Sequence, residues 1–500
     1  MVNTIIRKVA ASAALIPLLA HAEPERPNIV LLYADDMGYG DLNIQNPASK
    51  IPTPHLDQLA REGLRLTDGH SPSGICTPSR YSLLTGRYHW RDVKGLAPVM
   101  GRQGTIPEGR LTLPEMLRQH GYSTAMVGKW HLGWAWDSIR TAKGNFPASF
   151  DWSKPVSGGP PDRGFDYYFG DDVINYPPYG WIENRTLVKA PDTMMDPSLW
   201  PEIKEGNWEC RKGPMVTGWD PYENLPTLAR KGVEYIHAQK GADRPFFLFF
   251  SFPSPHAPII PNDAYDGKSD AGAYGDYVFQ TDAICGQILK ALEDIGQADN
   301  TLVIFTSDNG AEHYAYPREM RRGHWSSSPF RGIKRDLYEG GHRVPFLVRW
   351  PGVIAPGRVS DALISQMDIM ATLAAHLGYR LPEDAAEDSC NQLPVWLGTA
   401  SVARSNLVYN TLQDQDYAMR SGDWVLIDAE SGNQNRTPQY GRWLERHGYP
   451  PDGGHPVELY NLAEDIEQRR NIAQEHPEQV ANLQRLLQQI REQDPDAPRF

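Results

Sequence analysis

Five short runs of almost unbroken apolar residues, each closed by turn-forming residues, constrain the fold of this chain more than any other feature. They are Asn28–Tyr33, Ser123–Val127, Pro245–Phe252, Thr301–Thr306 and Val344–Arg349. Each is too short for a packed helix, and none alternates apolar with polar. Runs of this kind suit strands buried on both faces, as in a parallel sheet. Helix-period stretches lie between them, at His55–Glu62, Leu113–His120, Thr227–Gln239 and Tyr277–Ile295. The alternation predicts an α/β fold, with a large mixed, mostly parallel sheet sandwiched by helices.

The pattern changes twice. From Trp134 to Pro226 the chain is rich in Pro, Gly and aromatic residues, and it is expected to form loops that shape a binding cleft. After Leu381, two strands joined at Ser421-Gly-Asp423, a third strand at Val457–Tyr460 and an amphipathic helix over Pro477–Gln493 predict a smaller α+β C-terminal domain. This domain would hold a short antiparallel sheet and the terminal helix. The expected division is residues 1–22, 23–380 and 381–500. The first segment reads as a secretory signal, with Arg7 and Lys8 ahead of an apolar stretch and Ala20-His21-Ala22 as the cleavage site. No later run is long enough to span a membrane. A periplasmic or secreted protein is expected. Its four cysteines are too widely spaced to make a disulfide framework. A formal net charge of -13 excludes a general nucleic-acid binder, which needs a basic footprint.

Chemistry-bearing residues follow directly on the predicted strands. Asp35 and Asp36 follow Tyr33; Lys129 and His131 follow Val127; His256 follows Phe252; Asp308 and Asn309 follow Thr306. In open α/β sheets, ligands bind beyond the carboxyl ends of the strands. One alone would read as a turn or a cap, but four together predict a site. Asp35, Asp36, Asp308 and Asn309 are all oxygen donors, which suits a hard divalent cation, Ca²⁺ or Mg²⁺. Lys129 and His131, two residues apart in extended chain, would point to the same side.

The segment Cys76-Thr-Pro-Ser-Arg-Tyr-Ser-Leu-Leu-Thr-Gly-Arg87 places a cysteine at a predicted helix start, with Thr77 as N-cap and Pro78 first in the helix. Arg80 lies one turn on and can reach back. A soft thiolate matches a hard oxygen-ligand site poorly. Either Cys76 lies away from the cation, or it is not a cysteine in the mature protein.

These residues resemble the type I sulfatase family, within the alkaline phosphatase superfamily, whose signature is Cys-x-Pro-Ser-Arg-x-x-x-Leu-Thr-Gly-Arg. The resemblance continues at Ala34-Asp-Asp-Met-Gly-Tyr-Gly-Asp41, Gly128-Lys-Trp-His-Leu-Gly133, Thr306-Ser-Asp-Asn-Gly310, Gly332-Ile-Lys334 and Tyr338-Glu-Gly-Gly-His-Arg-Val-Pro345. It implies that a separate maturation enzyme oxidises Cys76 to Cα-formylglycine, whose hydrate attacks the sulfur of a sulfate ester. It implies Ca²⁺ held by Asp35, Asp36, Asp308, Asn309 and the modified Cys76. Arg80 would orient the hydrate and His131 assist it. Lys129 and Lys334 would bind sulfate oxygens, and His256 would protonate the leaving alcohol. The small polar residue that follows the family's Gly-Phe-Asp segment has Asn175 as its nearest counterpart.

Between Arg318 and Arg343, seven basic residues (Arg318, Arg321, Arg322, Arg331, Lys334, Arg335, Arg343) stand against Glu319, Asp336 and Glu339. Such an excess in an acidic chain is expected to funnel a polyanion toward the site. The expected substrate is therefore a sulfated carbohydrate or polysaccharide. The alternatives are an aryl sulfate, or a phosphonate or phosphodiester substrate as in other members of the superfamily. An inactive sulfoglycan-binding protein would be expected to have lost one of these residues, and none is lost.

Overall fold

The structure is a computed structural model that describes residues 26–92, 99–101, 103–411, 413, 415–451 and 454–493. The expected signal segment lies outside them. Ten strands form the main sheet: β1 (Asn28–Asp35), β2 (Leu64–Leu66), β3 (Ser123–Gly128), β4 (Tyr167–Gly170), β5 (Ile182–Glu183), β6 (Thr186–Leu187), β7 (Phe246–Pro255), β8 (Thr301–Ser307), β9 (Phe346–Arg349) and β10 (Arg358–Ser360). Their order is β10-β2-β9-β8-β1-β7-β3-β4-β5-β6. The central five, β8, β1, β7, β3 and β4, are parallel. Antiparallel pairings occur toward the edges, where β9 runs against β8 and β2, and β5 against β4 and β6.

Strand β1 shows why the apolar runs do not alternate. Ile29, Leu31 and Tyr33 enter one core with Leu83, Leu84 and Trp130, while Val30, Leu32 and Ala34 enter another with Leu56, Leu228 and Ile288. Both faces are covered, so both periods of the strand must be apolar. Burying each large side chain contributes about 1.5–3 kcal/mol. On the second face lie helices α1 (Pro54–Arg61), α4 (Asn224–Ala238) and α5 (Ala273–Asp294). The first is covered by α2 (Cys76–Thr85) and α3 (Leu113–Gln119). Helix α2 stops at Gly86, whose φ of 65° is left-handed. A Cβ there would stand 2.5 Å from that of Ala386, so only glycine ends the helix in this packing.

The aromatic residues from 134 to 226 are mainly core, a correction to their expected role in a cleft. Trp134, Trp136, Tyr168 and Tyr179 are buried. Trp181 packs edge-on against Trp219, and Trp200 lies tilted against Trp208. Tyr176 brings its ring against that of a predicted site residue, His131, at 5.2 Å.

The C-terminal part holds an antiparallel sheet of four strands, Asn406–Asn410, Tyr417–Ser421, Trp424–Asp428 and Glu458–Asn461, covered by the terminal helix Pro477–Glu492. The first of these strands was not expected. This sheet shares a core with Ile333, Leu337 and Tyr338. Among the described residues, no helix is long and apolar enough to cross a membrane.

Candidate active site

Four parallel strands end on one edge and present their next residues there. Asp35 closes β1 and Asp36 follows; Lys129 follows β3, His256 follows β7, and Asp308 and Asn309 follow β8. Ladder bonding continues past the strand ends: the Asp308 N–H donates to Ala34 O at 3.0 Å, and the Lys129 N–H to Ser251 O at 2.8 Å. The side chains are then cross-linked. The Asp36 N–H donates to Asp308 Oδ1 at 3.1 Å, and Asn309 Nδ2 to Asp36 Oδ1 at 2.6 Å.

Helix α2 starts two residues earlier than expected. Ile75 is the N-cap, its carbonyl accepting from the Ser79 N–H at 3.2 Å, and Cys76 is the first helical residue. The Thr77 hydroxyl donates instead to His131 O at 3.2 Å. Cys76 is 3% exposed. Its sulfur and carboxylate oxygens of Asp35 and Asp308 all lie within 4.8 Å of one another. Arg80 reaches past the cysteine to tie three strand ends together. It donates to Asp308 Oδ2 from Nε at 3.0 Å and Nη2 at 2.7 Å, and from Nη1 to Lys129 O at 3.1 Å and Ser251 Oγ at 2.7 Å.

The chain after β3 is not extended, so the expected parallel projection of Lys129 and His131 is corrected. Gly128 and His131 have φ of 106° and 54°. Lys129 Nζ meets Asp35 Oδ2 at 2.5 Å. The His131 ring packs against Tyr176, and the residue's backbone N–H donates to Asp172 Oδ1 at 3.1 Å. Lys334 Nζ lies 2.7 Å from Asp36 Oδ1 and 3.4 Å from Glu312. His256 Nε2 lies 3.8 Å from Asp36 Oδ2.

This is a buried cluster of charge. Burial, reinforced by the neighbouring Asp35 charge, pushes the Asp308 carboxyl up to about 7. Burial also works to raise Asp36, but Lys334, His256 and Lys129 together outweigh it and hold that carboxyl below the usual range. The Cys76 thiol is pushed up by burial. Burial and then Lys129 hold the His131 ring well below the ordinary histidine value, and burial and Lys334 bring His256 down to about 4.

Asp35 Oδ1, Asn309 Oδ1 and both ring nitrogens of His131 are buried without a hydrogen-bond partner. Leaving buried polar atoms unpaired is costly. Two unpartnered hard oxygens beside three clustered carboxylates fit a divalent cation. His70, Glu339 and His342 form another close set. There Arg343 Nη1 already meets Glu339 at 3.0 Å and Asp68 at 3.1 Å, and Arg420 Nη2 meets Asp68 at 3.1 Å, so the carboxylates carry their countercharge.

Several participants escape a reading of the sequence. Ser251 is a lone polar residue inside the apolar run of β7, and that isolation was its only signal. Glu312 ties Lys334 to Arg335, which it meets at 2.6 Å. Asp172 follows β4 just as the other acids follow their strands, so the same rule would have found it. Asn175 is buried, with Oδ1 unpartnered. The expected cationic funnel is overturned: Arg318 is buried on Glu205 and Tyr274, Arg331 on Tyr440 and Gln468, and Arg343 on Glu339 and Asp68. Only Arg321 and Arg322 of the seven are exposed.

Residues 27–379 match the family described as Sulfatase. The chain is 33% identical over 505 residues to an N-acetylgalactosamine-6-O-sulfatase of Bacteroides thetaiotaomicron, covering 93% of each. It is 37% identical over 426 residues to human arylsulfatase A, covering 82% of this chain and 76% of the other. It also superimposes with a TM-score of 0.78 and 31% identity on a solved structure from work on glycosaminoglycan metabolism by Bacteroides thetaiotaomicron, covering 93% of this chain and 99% of that one.

Proposed function

The chain belongs to the sulfatase family and is a sulfuric ester hydrolase, and from that premise we propose that it removes sulfate from a sulfated carbohydrate, with Cys76 in the form of Cα-formylglycine. The observation that carries this reading is the buried Cys76 sulfur among carboxylate oxygens of Asp35 and Asp308, all within 4.8 Å of one another. A thiol is a poor neighbour for a hard cation, whereas an oxygen at that position is a good one. The sulfur thus stands where an oxygen of formylglycine would lie.

In this reading Asp35, Asp36, Asp308 and Asn309 hold Ca²⁺; Mg²⁺ shares the same donor chemistry, and the family resemblance favours Ca²⁺. When bound, the cation would polarise the sulfuryl oxygens. Arg80 orients residue 76, whose oxygen is the nucleophile. Lys129 and Lys334 offset the charge that gathers on the sulfate. His131, with both ring nitrogens open, holds the oxygens of residue 76. His256 gives the proton to the leaving alcohol. Its imidazole is held down to about 4 by burial and Lys334; the negative charge of bound sulfate acts in the opposite sense.

The relatives named for N-acetylgalactosamine-6-sulfate support a sulfated sugar and make that one the first to try. Similarity to arylsulfatase A supports the competing reading of an aryl sulfate. A maturation enzyme and a periplasmic or secreted location complete the proposal. Two measurements test it together. A peptide mass for the segment containing Cys76, in protein from its native host, should show the aldehyde and its hydrate. Sulfate release should be faster from sulfated sugars than from aryl sulfates or matched phosphate and phosphonate esters. An intact thiol in active protein would overturn the mechanism, and release from aryl sulfates alone would overturn the substrate.

A further inference from the structure

The cations of the site are spoken for. Arg80 pairs with Asp308, Lys129 with Asp35, Lys334 with Asp36, and Arg335 with Glu312. Arg211 differs. It is exposed, and among the described residues its guanidinium has no carboxylate partner and no hydrogen-bond acceptor. The neighbouring acid, Glu209, accepts from the Tyr314 hydroxyl at 2.5 Å instead.

The guanidinium carbon of Arg211 lies 3.9 Å from the centre of the Tyr176 ring, which in turn meets the His131 ring at 5.2 Å. Arg211 is therefore two ring contacts from the candidate site. The electrostatic surroundings agree: the Tyr176 hydroxyl feels Arg211 and also Cys76, Lys129 and Lys334, so the ring stands between them. The backbone that carries the arginine is fixed. Its N–H donates to Asn175 O at 3.1 Å, and the Tyr179 hydroxyl bridges Asn175 O at 2.9 Å and Arg211 O at 2.7 Å.

A guanidinium lying over an aromatic face keeps its in-plane N–H donors, which match the two oxygens of a carboxylate or a sulfate. An unpaired cation held rigidly beside the site of an acidic protein is a place for an anion. We propose that Arg211 forms a subsite for an anionic group on the sugar next to the one that loses its sulfate. This rests on the carbohydrate reading above. The ligand is a sugar carboxylate or a second sulfate, which share this chemistry.

The test compares four substrates carrying the same 6-sulfated N-acetylgalactosamine: the free sugar, and disaccharides whose neighbour is neutral, carboxylated or sulfated. Matured enzyme is compared with Arg211→Gln and Arg211→Lys. In Arg211→Gln, KM for at least one anionic disaccharide should rise about 10-fold relative to the neutral one, with kcat on it held. Arg211→Lys should recover part of this. The anionic disaccharide that responds identifies the source, and its KM in the parent enzyme should rise with salt. An equal effect on all four substrates, or none on either anionic disaccharide, would overturn the subsite while leaving the sulfatase reading intact. Failure of the parent enzyme on all four would overturn 6-sulfated N-acetylgalactosamine as its substrate and the subsite with it, whereas release from aryl sulfates alone would overturn the carbohydrate reading itself.

Discussion

Arg80 spends two donors on a single oxygen of Asp308: Nε at 3.0 Å and Nη2 at 2.7 Å both reach Oδ2, leaving Oδ1 to the Asp36 N–H. The remaining nitrogen holds Lys129 O and Ser251 Oγ. One planar cation thus sets the spacing of β8, β3 and β7 at the site. Lysine has the charge but not the fork. Arg80→Lys should lower kcat by about 10²-fold or more, and Arg80→Ala should also cost about 3–5 kcal/mol of stability by leaving buried carboxylates unpaired. Kinetics on a sulfated sugar and urea unfolding check the two effects.

Chelation should abolish activity, and Ca²⁺ should restore it. A cation held by the unpartnered oxygens of Asp35 and Asn309 would also stabilise the fold. Saturating Ca²⁺, at about 100 times its Kd, should add about 2.7 kcal/mol to unfolding. Thermal scans of the Asp308→Asn variant should lose most of that gain. An equal Ca²⁺ shift in the variant would place the cation elsewhere.

Glu312 touches none of the proposed reacting atoms, but it anchors Lys334 and Arg335 together. Arg335 and Lys334 hold its carboxyl well below the usual range against the pull of burial. Glu312→Gln keeps the shape and removes the charge. It should cut kcat/KM by about 10-fold through a loosened Lys334, while sulfate-analogue binding weakens in proportion. Full activity in that variant would show that Lys334 is held by Asp36 alone.

Asp282, on α5, caps α1 from outside, accepting from the Leu56 N–H at 2.8 Å and the His55 N–H at 3.2 Å. Burial pushes its carboxyl up to about 7 despite those bonds. In the unfolded chain the group titrates near 3.9. Between these values the folded state holds the extra proton, so stability falls as pH rises through the window and is level above it. The Asp282→Asn variant lacks this slope. Its stability relative to the parent should therefore rise by about 1–3 kcal/mol from pH 5 to pH 7.5, read from unfolding at several pH values.

The strand ends were legible because a parallel sheet buries both faces of its strands and gathers their carboxyl ends on one edge. The apolar runs therefore marked both the architecture and the residues that follow it. Cys76 to Arg87 was legible through its spacing. What was hidden depends on partners distant in the chain. Arg318 and Arg343 read as a surface charge excess because Glu205 and Asp68, which neutralise them, lie far away in sequence. The start of α2 was displaced by two residues because side-chain capping was expected at Thr77, whereas the whole helix is buried and packing decides where it begins. The turn at His131 is flanked by Gly128 and Gly133, but His131 itself takes a φ of 54° that its residue type does not announce.

The segment around Cys76 is bolted to residues made much later. Ser73 Oγ donates to Asn410 O, a partner 337 positions along the chain, and Arg91 grips Asp388 at 2.9 Å. During synthesis at about 5–20 residues per second, these partners follow tens of seconds behind. The cysteine is thus among the earlier parts to be made and among the last to be enclosed. That interval is the time in which the proposed maturation enzyme would meet open chain at residue 76 rather than a closed core.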